Sequence, residues 1–341
     1  MILQELSADR EAAWDGYATD HPDATAFHLA GWKRVIEHST GHRAHYLMAL
    51  DGGRVAGIYP LFILSSRLFG TLGVSLPFVG YGGILSENPE AEQALADEAA
   101  QRARAAGCGS IELRQRRPLK LDWPTTDRKV ATLLSTEGGA SAAFARLHPN
   151  VRNKIRKAEK AGVVVQEGVE HLAEFYRIYS RNLRDLGTPV ISRRFFEEAV
   201  AVFPEHLRVY RAVRQGRTIS AKIVVRDGRT CYFTWSASIR EELRHAPVHA
   251  MNWRAIEDAC GAGCAEIDLG RSSAGSSHQE FKKYWGGQSR TLPWAYHVLD
   301  GKGPRGVHKE DARFSLAIAL WKRLPLGLSR CLGPPIARCL P

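Results

Sequence analysis

Two stretches of this chain carry the same signature, and that duplication limits what it can fold into. Ala105-Ala-Gly-Cys-Gly-Ser-Ile-Glu-Leu-Arg114 follows a helical run from Ala91. Gly261-Ala-Gly-Cys-Ala-Glu-Ile-Asp-Leu-Gly270 follows one from about Val248. Each reads as a helix, a glycine cap and a short strand. Upstream of each lies a hairpin pattern, turning at Asp51-Gly-Gly in the first copy and at Gln215-Gly in the second. The offsets are 156 and 163 residues, so the copies differ by a small insertion. A length of 341 residues suits two domains. The expected units are 1–145 and 146–300, followed by a tail, 301–341, with Glu137-Gly-Gly-Ala-Ser as the link.

Hydrophobic residues make up 44% and charged residues 24%, which excludes wholesale disorder. Six cysteines form no CxxC, and Cys260 and Cys264 lack a second pair to complete a zinc set. Reduced thiols and no metal are expected. Met1 to Arg10 contains acids and no long apolar core, so it does not read as a secretory leader. Leu68 to Ser86 is uncharged and long enough for a membrane span. Its five glycines and Pro77 fit buried strands joined by turns instead. The net charge is +11, and the whole excess lies beyond residue 145. That asymmetry points to an anionic partner of the later half: phosphate, nucleic acid or a membrane surface.

The second unit reads as helices at about 172–186 and 193–202, then strands at about 207–214, 219–226 and 229–236. A helix at 248–260, a strand at 265–269, a helix at 277–284 and a strand at 290–298 complete it. This order resembles the GNAT acyltransferase fold. In that fold the last meander strand leads into a helix whose N-terminus binds the donor's phosphates. The corresponding place here is Arg244-His-Ala-Pro-Val-His249, which makes His249 a candidate. Residues His148 to Gly162 predict a short helix, with Pro149 at its start and Gly162 at its end. Val151, Ile155 and Ala158 form its apolar stripe, and Arg152 and Arg156 stand among the cations on its other faces. Arg104-Ala-Ala-Gly-Cys-Gly109 spells the GNAT phosphate pattern RxxGxG. It follows a helix and precedes a strand, the reverse of what phosphate binding requires, and reads as a helix cap.

Several motifs together resemble the FemAB-like family of tandem GNAT-fold acyl- and aminoacyltransferases. They are Val151-Arg-Asn-Lys-Ile-Arg-Lys-Ala-Glu-Lys-Ala-Gly162, Tyr176-Arg-Ile-Tyr-Ser with Leu186-Gly-Thr-Pro, and Ile267-Asp-Leu-Gly-Arg-Ser272. Phe281-Lys-Lys-Tyr-Trp-Gly286 and, in the first unit, Ser75-Leu-Pro-Phe-Val-Gly-Tyr-Gly-Gly83 complete the set. The subgroup most similar is that associated with exosortase (PEP-CTERM) and exopolysaccharide loci. The resemblance implies an α+β chain of two tandem GNAT-like domains with mixed, mostly antiparallel sheets. It implies transfer of an acyl or aminoacyl group to an amine of an exopolysaccharide or cell-envelope precursor. No bound cofactor is implied; the donor substrate is acyl-CoA or aminoacyl-tRNA. No long heptad segment matches the helical arm that some cell-wall members insert, which weighs against a tRNA donor and a peptidoglycan acceptor.

Amide formation from an activated ester requires a deprotonated amine, a stabilised oxyanion and alignment. The resemblance assigns Lys282 to the oxyanion, with Lys283 pointing elsewhere on the helix. Asp268, alternating with Ile267 and Leu269, is the candidate to orient the amine or accept its proton. Arg271 and Ser272 open a loop, 271–278, able to hold a phosphate or sugar. Tyr81, between glycines, is expected in a cleft between the domains. The tail carries Lys322, Arg323, Arg330 and Arg338 among leucines and Trp321, and reads as an interfacial anchor. These features predict a cytoplasmic enzyme, peripheral at the inner face of the membrane, that acts on a lipid-linked saccharide or peptidoglycan precursor. The alternatives are aminoacyl-tRNA-dependent transfer to a peptidoglycan precursor, a non-catalytic nucleic-acid-binding protein using the basic helix, and a scaffold that has lost its donor pocket.

Overall fold

The computed structural model describes residues 1–66, 70–301 and 312–340. Leu68 and Phe69 of the uncharged stretch and residues 302–311 and 341 of the tail lie outside the described residues. In chain order the elements are β1 (Ile2–Glu5), α1 (Glu11–Asp20), α2 (Gly31–Thr40), β2 (Ala44–Asp51), β3 (Arg54–Ser66), β4 (Gly70–Val74), α3 (Pro89–Ala105) and β5 (Ser110–Leu113). Next come β6 (Thr125–Ser135), α4 (Gly139–Arg146), α5 (Pro149–Lys160), β7 (Val164–Glu167), α6 (Leu172–Leu186), α7 (Arg193–Val202), β8 (Leu207–Arg214), β9 (Arg217–Arg226) and β10 (Thr230–Ser238). The last are α8 (Pro247–Gly261), β11 (Glu266–Ser273), α9 (Ser277–Lys283), β12 (Gln288–Val298), α10 (Ala312–Arg323) and α11 (Leu326–Ala337).

Two compact units result. One holds Met1–Lys129, the strand residues from Thr291 and the end of the chain from Pro335. The other holds Val130–Arg290 and the helical residues up to Pro334. They do not divide at the expected 145 and 300. β12, expected to close the second unit, pairs antiparallel with β5 of the first, with Ala295 opposite Leu113 and Val298 opposite Ser110. In the second unit the strand beside β11 is β6, which precedes the basic helix.

The duplication is written into the sheets. β1 to β4 are antiparallel neighbours and β4 pairs parallel with β5. β7 to β10 repeat this, with β10 parallel to β11. Both hairpin turns place two residues in the left-handed region: Gly52 and Gly53 at φ 54° and 82°, Gln215 and Gly216 at φ 50° and 73°. Such two-residue turns match the natural strand twist. Each hairpin has a register irregularity at the same place, Ala49/Leu50 in one and Ala212/Val213 in the other. The helix ends also match. Cys108 N–H donates to Ala103 O and Gly107 N–H to Arg104 O; Cys264 N–H donates to Ala259 O and Gly263 N–H to Cys260 O. These are Schellman caps built around left-handed glycines. RxxGxG is therefore a helix end.

In the second unit α5 and α8 cover one face of the sheet. Val151 and Ile155 of α5 meet Met251, Ala255 and Ile256 of α8 over Phe233, Ile267 and Leu269. α5 buries the predicted stripe and leaves Lys154, Arg156, Lys157 and Lys160 exposed.

Candidate functional site

Helix α9 is placed by its apolar side. Trp285, just past its end, is fully buried, and Phe281, one turn earlier, lies edge-on to it at 6.3 Å between centroids. With those two rings docked, Lys282 is turned toward β11, while the exposed Lys283 pairs with Glu280 at 2.7 Å.

The strand that Lys282 meets is irregular. The parallel ladder between β10 and β11 runs through Thr230–Glu266 and Cys231–Ile267 and stops at Tyr232–Asp268. Just beyond, β10 carries a register irregularity between Phe233 and Trp235. On β11, Gly270 adopts φ 84°. Asp268, fully buried, accepts the Gly270 N–H at 2.7 Å. The carbonyl oxygens of Gly270 and Arg271 then receive Lys282 Nζ at 2.7 and 2.9 Å. An ammonium has three donors, so one remains available. The buried Ser272 Oγ, next along the strand, has no hydrogen-bond partner.

Burial pushes the Lys282 ammonium down to about 8, against the pull of Asp268. Its unfolded value is 10.5, so between these pH values the folded chain binds fewer protons than the unfolded chain. Conformational stability is therefore expected to rise with pH across that window, while any activity that uses the ammonium falls above about pH 8. Paired urea-melt and pH–rate profiles check the opposed slopes. At Gly270 a Cβ would lie 3.0 Å from Phe233 O and 3.7 Å from Lys282 Nζ. Gly270→Ala is expected to cost about 1–2 kcal/mol from the left-handed backbone alone, measured as a lowered urea midpoint.

Residues 145–283 match the family described as Acetyltransferase (GNAT) domain. The chain has a tandem GNAT-like fold. The crystal structure of FemX superposes with a TM-score of 0.66 at 15% identity, covering 88% of this chain and 98% of FemX. The C-terminal domain of a putative lysylphosphatidylglycerol synthetase from Agrobacterium fabrum gives 0.58 at 13% identity, with 86% and 93% covered. A tandem GNAT protein from the clavulanic acid biosynthesis pathway gives 0.52 at 12% identity, with 89% and 99% covered. No curated protein matches the chain.

Within the second unit, Lys282, Asp268, Arg271 and Ser272 come together. Arg271 and Ser272 lie on the end of β11 and not in a loop, because the strand extends to Ser273. Asp268 is seated on the Gly270 backbone at full burial, where it holds the strand's shape and favours the Lys282 charge. His249 joins the cluster through rings, stacked on Trp285 at 5.8 Å and edge-on to Phe281 at 5.6 Å. Burial, aided by Lys154, pushes it down to about 4, so it is a neutral ring at physiological pH. The expected anion-binding start of α8 is partly self-satisfied. Pro247 has no N–H, and those of His249 and Ala250 go to Ala246 O at 3.0 and 3.4 Å.

Two of the other candidates, Arg152 and Tyr81, have partners of their own. Arg156 is exposed on α5, and Arg152 donates to Ala145 O at 3.0 Å. Tyr81 is a core residue of the first unit, stacked on Phe27 at 6.2 Å with Arg116 over its ring at 5.6 Å. Gly82, beside it, answers to packing, since a Cβ there would lie 2.7 Å from Leu76 Cβ. One residue was missed. Lys222, in the middle of β9, is 3% exposed. A single charge inside Ile219-Ser-Ala-Lys-Ile-Val-Val225 was the available signal.

Proposed function

We propose that the chain is an N-acyltransferase of the FemAB-like kind, nearest to the exosortase-associated subgroup. It transfers an acyl or aminoacyl group to an amine of an exopolysaccharide or cell-envelope precursor. The observation that carries this reading is Lys282, an ammonium seated on two β11 carbonyls beyond the end of the β10–β11 ladder, with a donor to spare. A fixed cation there answers the negative charge that develops on a carbonyl oxygen under attack. The amine adds to the activated carbonyl, Lys282 holds the resulting oxyanion, and the leaving group departs with its proton restored. Asp268 keeps the carbonyl seat and the ammonium in place. Ser272 and Arg271, beside it, are the groups proposed to bind substrate, with His249 shaping the site's wall. Arg152, Arg156 and Tyr81 are kept as further proposed substrate contacts.

The donor is acyl-CoA or aminoacyl-tRNA. The second is favoured by one feature, the exposed cations of α5, which would suit a polyanion. The acceptor is a lipid-linked saccharide or peptidoglycan precursor; the lysylphosphatidylglycerol synthetase neighbour supports the lipid part of that choice. Among the described residues no helix is long and apolar enough to cross a membrane. The tail supplies a peripheral attachment at the inner face of the cytoplasmic membrane. α10 and α11 pack inward through Ile318 beside Gly187, Arg184 on Leu324 O at 3.0 Å and Arg330 on Ser180 Oγ at 2.8 Å. They leave Leu316, Leu320, Leu328 and Leu332 exposed.

The test is a donor screen on purified protein with membrane extract as acceptor, scored by mass. Transfer from acyl-CoAs or charged tRNA onto an amine is expected. Transfer from charged tRNA alone would select the second donor, and none from either would leave the scaffold reading.

A further inference from the structure

Lys222 has no structural reason to be a lysine. Its Nζ donates to Asn252 Oδ1 of α8 and lies 3.6 Å from the centroid of the Phe233 ring. Neither partner carries a formal negative charge, and the side chain is 3% exposed. A methionine would fill the same space without the cost of desolvating an amine.

Among the described residues its surroundings supply no counter-ion. On β8 its register partner is Tyr210, whose hydroxyl donates to Asp258 Oδ2 at 3.0 Å. Asp258 is also held by Arg254 at 2.8 Å. On β10 the buried Cys231 thiol is pushed far up by burial and stays protonated. On α8 His249 is neutral at physiological pH. The remaining neighbour, Lys282 on α9, is itself cationic. Burial pushes Lys222 down to about 7, and the Lys282 charge acts in the same direction.

Phe233 connects the two lysines. Its ring lies beneath Lys222, and its carbonyl lies 3.0 Å from where a Gly270 Cβ would stand, beside the backbone that seats Lys282. Two amines thus sit around one residue of the irregular β10, one held by two carbonyls and one by a single amide oxygen. Environments that separate two like groups commonly mark an acid–base division of labour.

We propose that Lys222 is the proton acceptor of the transfer reaction, working beside the Lys282 ammonium seated on the β11 carbonyls. This rests on the transferase reading above. As the nucleophile's nitrogen bonds to the carbonyl carbon, its N–H bond breaks and the proton passes to Lys222 Nζ. When the carbon–leaving-group bond breaks, the electron pair leaves with the thiolate or alkoxide. That group takes the proton from Lys222, which returns to its neutral form.

The experiment has two arms. In the first, wild type, Lys222→Met and Lys222→Arg are compared in pH–rate profiles and thermal melts. The wild type should show an acidic limb with its midpoint near pH 7. Lys222→Met should lose that limb and about 10²–10³-fold in kcat, with KM within threefold and no loss of melting temperature. Lys222→Arg, always charged, should not rescue. In the second arm, 13Cε-lysine NMR follows Lys222 directly. It should titrate near 7 and move upward in Lys282→Met, with no activity needed. A Lys222 that titrates above 9, or a methionine variant with unchanged kcat and limb, overturns the proposal. Absence of transfer by the wild type would overturn the transferase reading, and is distinguished by a normal NMR titration.

Discussion

Replacing Lys282 by methionine is expected to lower kcat about 10²–10³-fold while the protein melts no earlier than wild type. The two halves of this result have one origin. The ammonium is costly to the folded state, because burial pushes it down to about 8. The cost persists because two carbonyls, Gly270 and Arg271, have been turned toward it by a left-handed glycine and a buried aspartate. Methionine removes the charge and leaves those carbonyls to water. Arginine should not rescue, since a planar guanidinium cannot sit on two adjacent carbonyls as a compact ammonium does. A methionine variant with kcat within threefold of wild type would remove Lys282 from the chemistry and leave only the fold.

Serine at Leu316, Leu320, Leu328 and Leu332 together is expected to weaken binding to phosphatidylglycerol-containing vesicles by at least about 10²-fold. These side chains are 69%, 56%, 45% and 43% exposed, spaced one turn apart in α10 and in α11. Each leucine withdrawn from water contributes about 1.5–3 kcal/mol when fully buried, and half of that from four residues exceeds the stated loss. The described tail contains no acidic residue, and Lys322 and Arg323 are exposed beside the leucines. An anionic surface therefore complements it, and binding should fall as salt screens that attraction. Co-sedimentation with phosphatidylglycerol and with phosphatidylcholine vesicles checks both claims. Equal binding by wild type and the serine variant, or none by wild type, would leave the tail as a strap across α6.

Much of the second unit was legible because its signals are local. Glycine caps, two-residue turns and alternating apolar residues located its helices and strands to within a few positions. The basic helix was equally plain, since Pro149, Gly162 and a three-residue stripe state its limits. What could not be read is non-local. Nothing in Gln288–Val298 says which sheet it joins; that is decided by the pairing with β5. The register that carries Arg271 and Ser272 onto β11 depends on the neighbouring strands. The glycines near Tyr81 read as turn residues, but Gly82 and Gly83 answer to Leu76 and Gln115 packed against them. The pair at Lys222 and Lys282 comes from residues 60 positions apart on a strand and a helix. Only one of them lay in a recognisable motif.

The return of β12 to the first unit has a consequence for biosynthesis. As the nascent chain leaves the ribosome, residues 1–129 emerge first, yet β5 lacks its β12 neighbour until residue 298 has been made. The earlier half therefore waits with an open strand edge while the rest of the chain is synthesised. A stop codon just after Arg290 would leave that edge without its partner for good and make the earlier half prone to self-association.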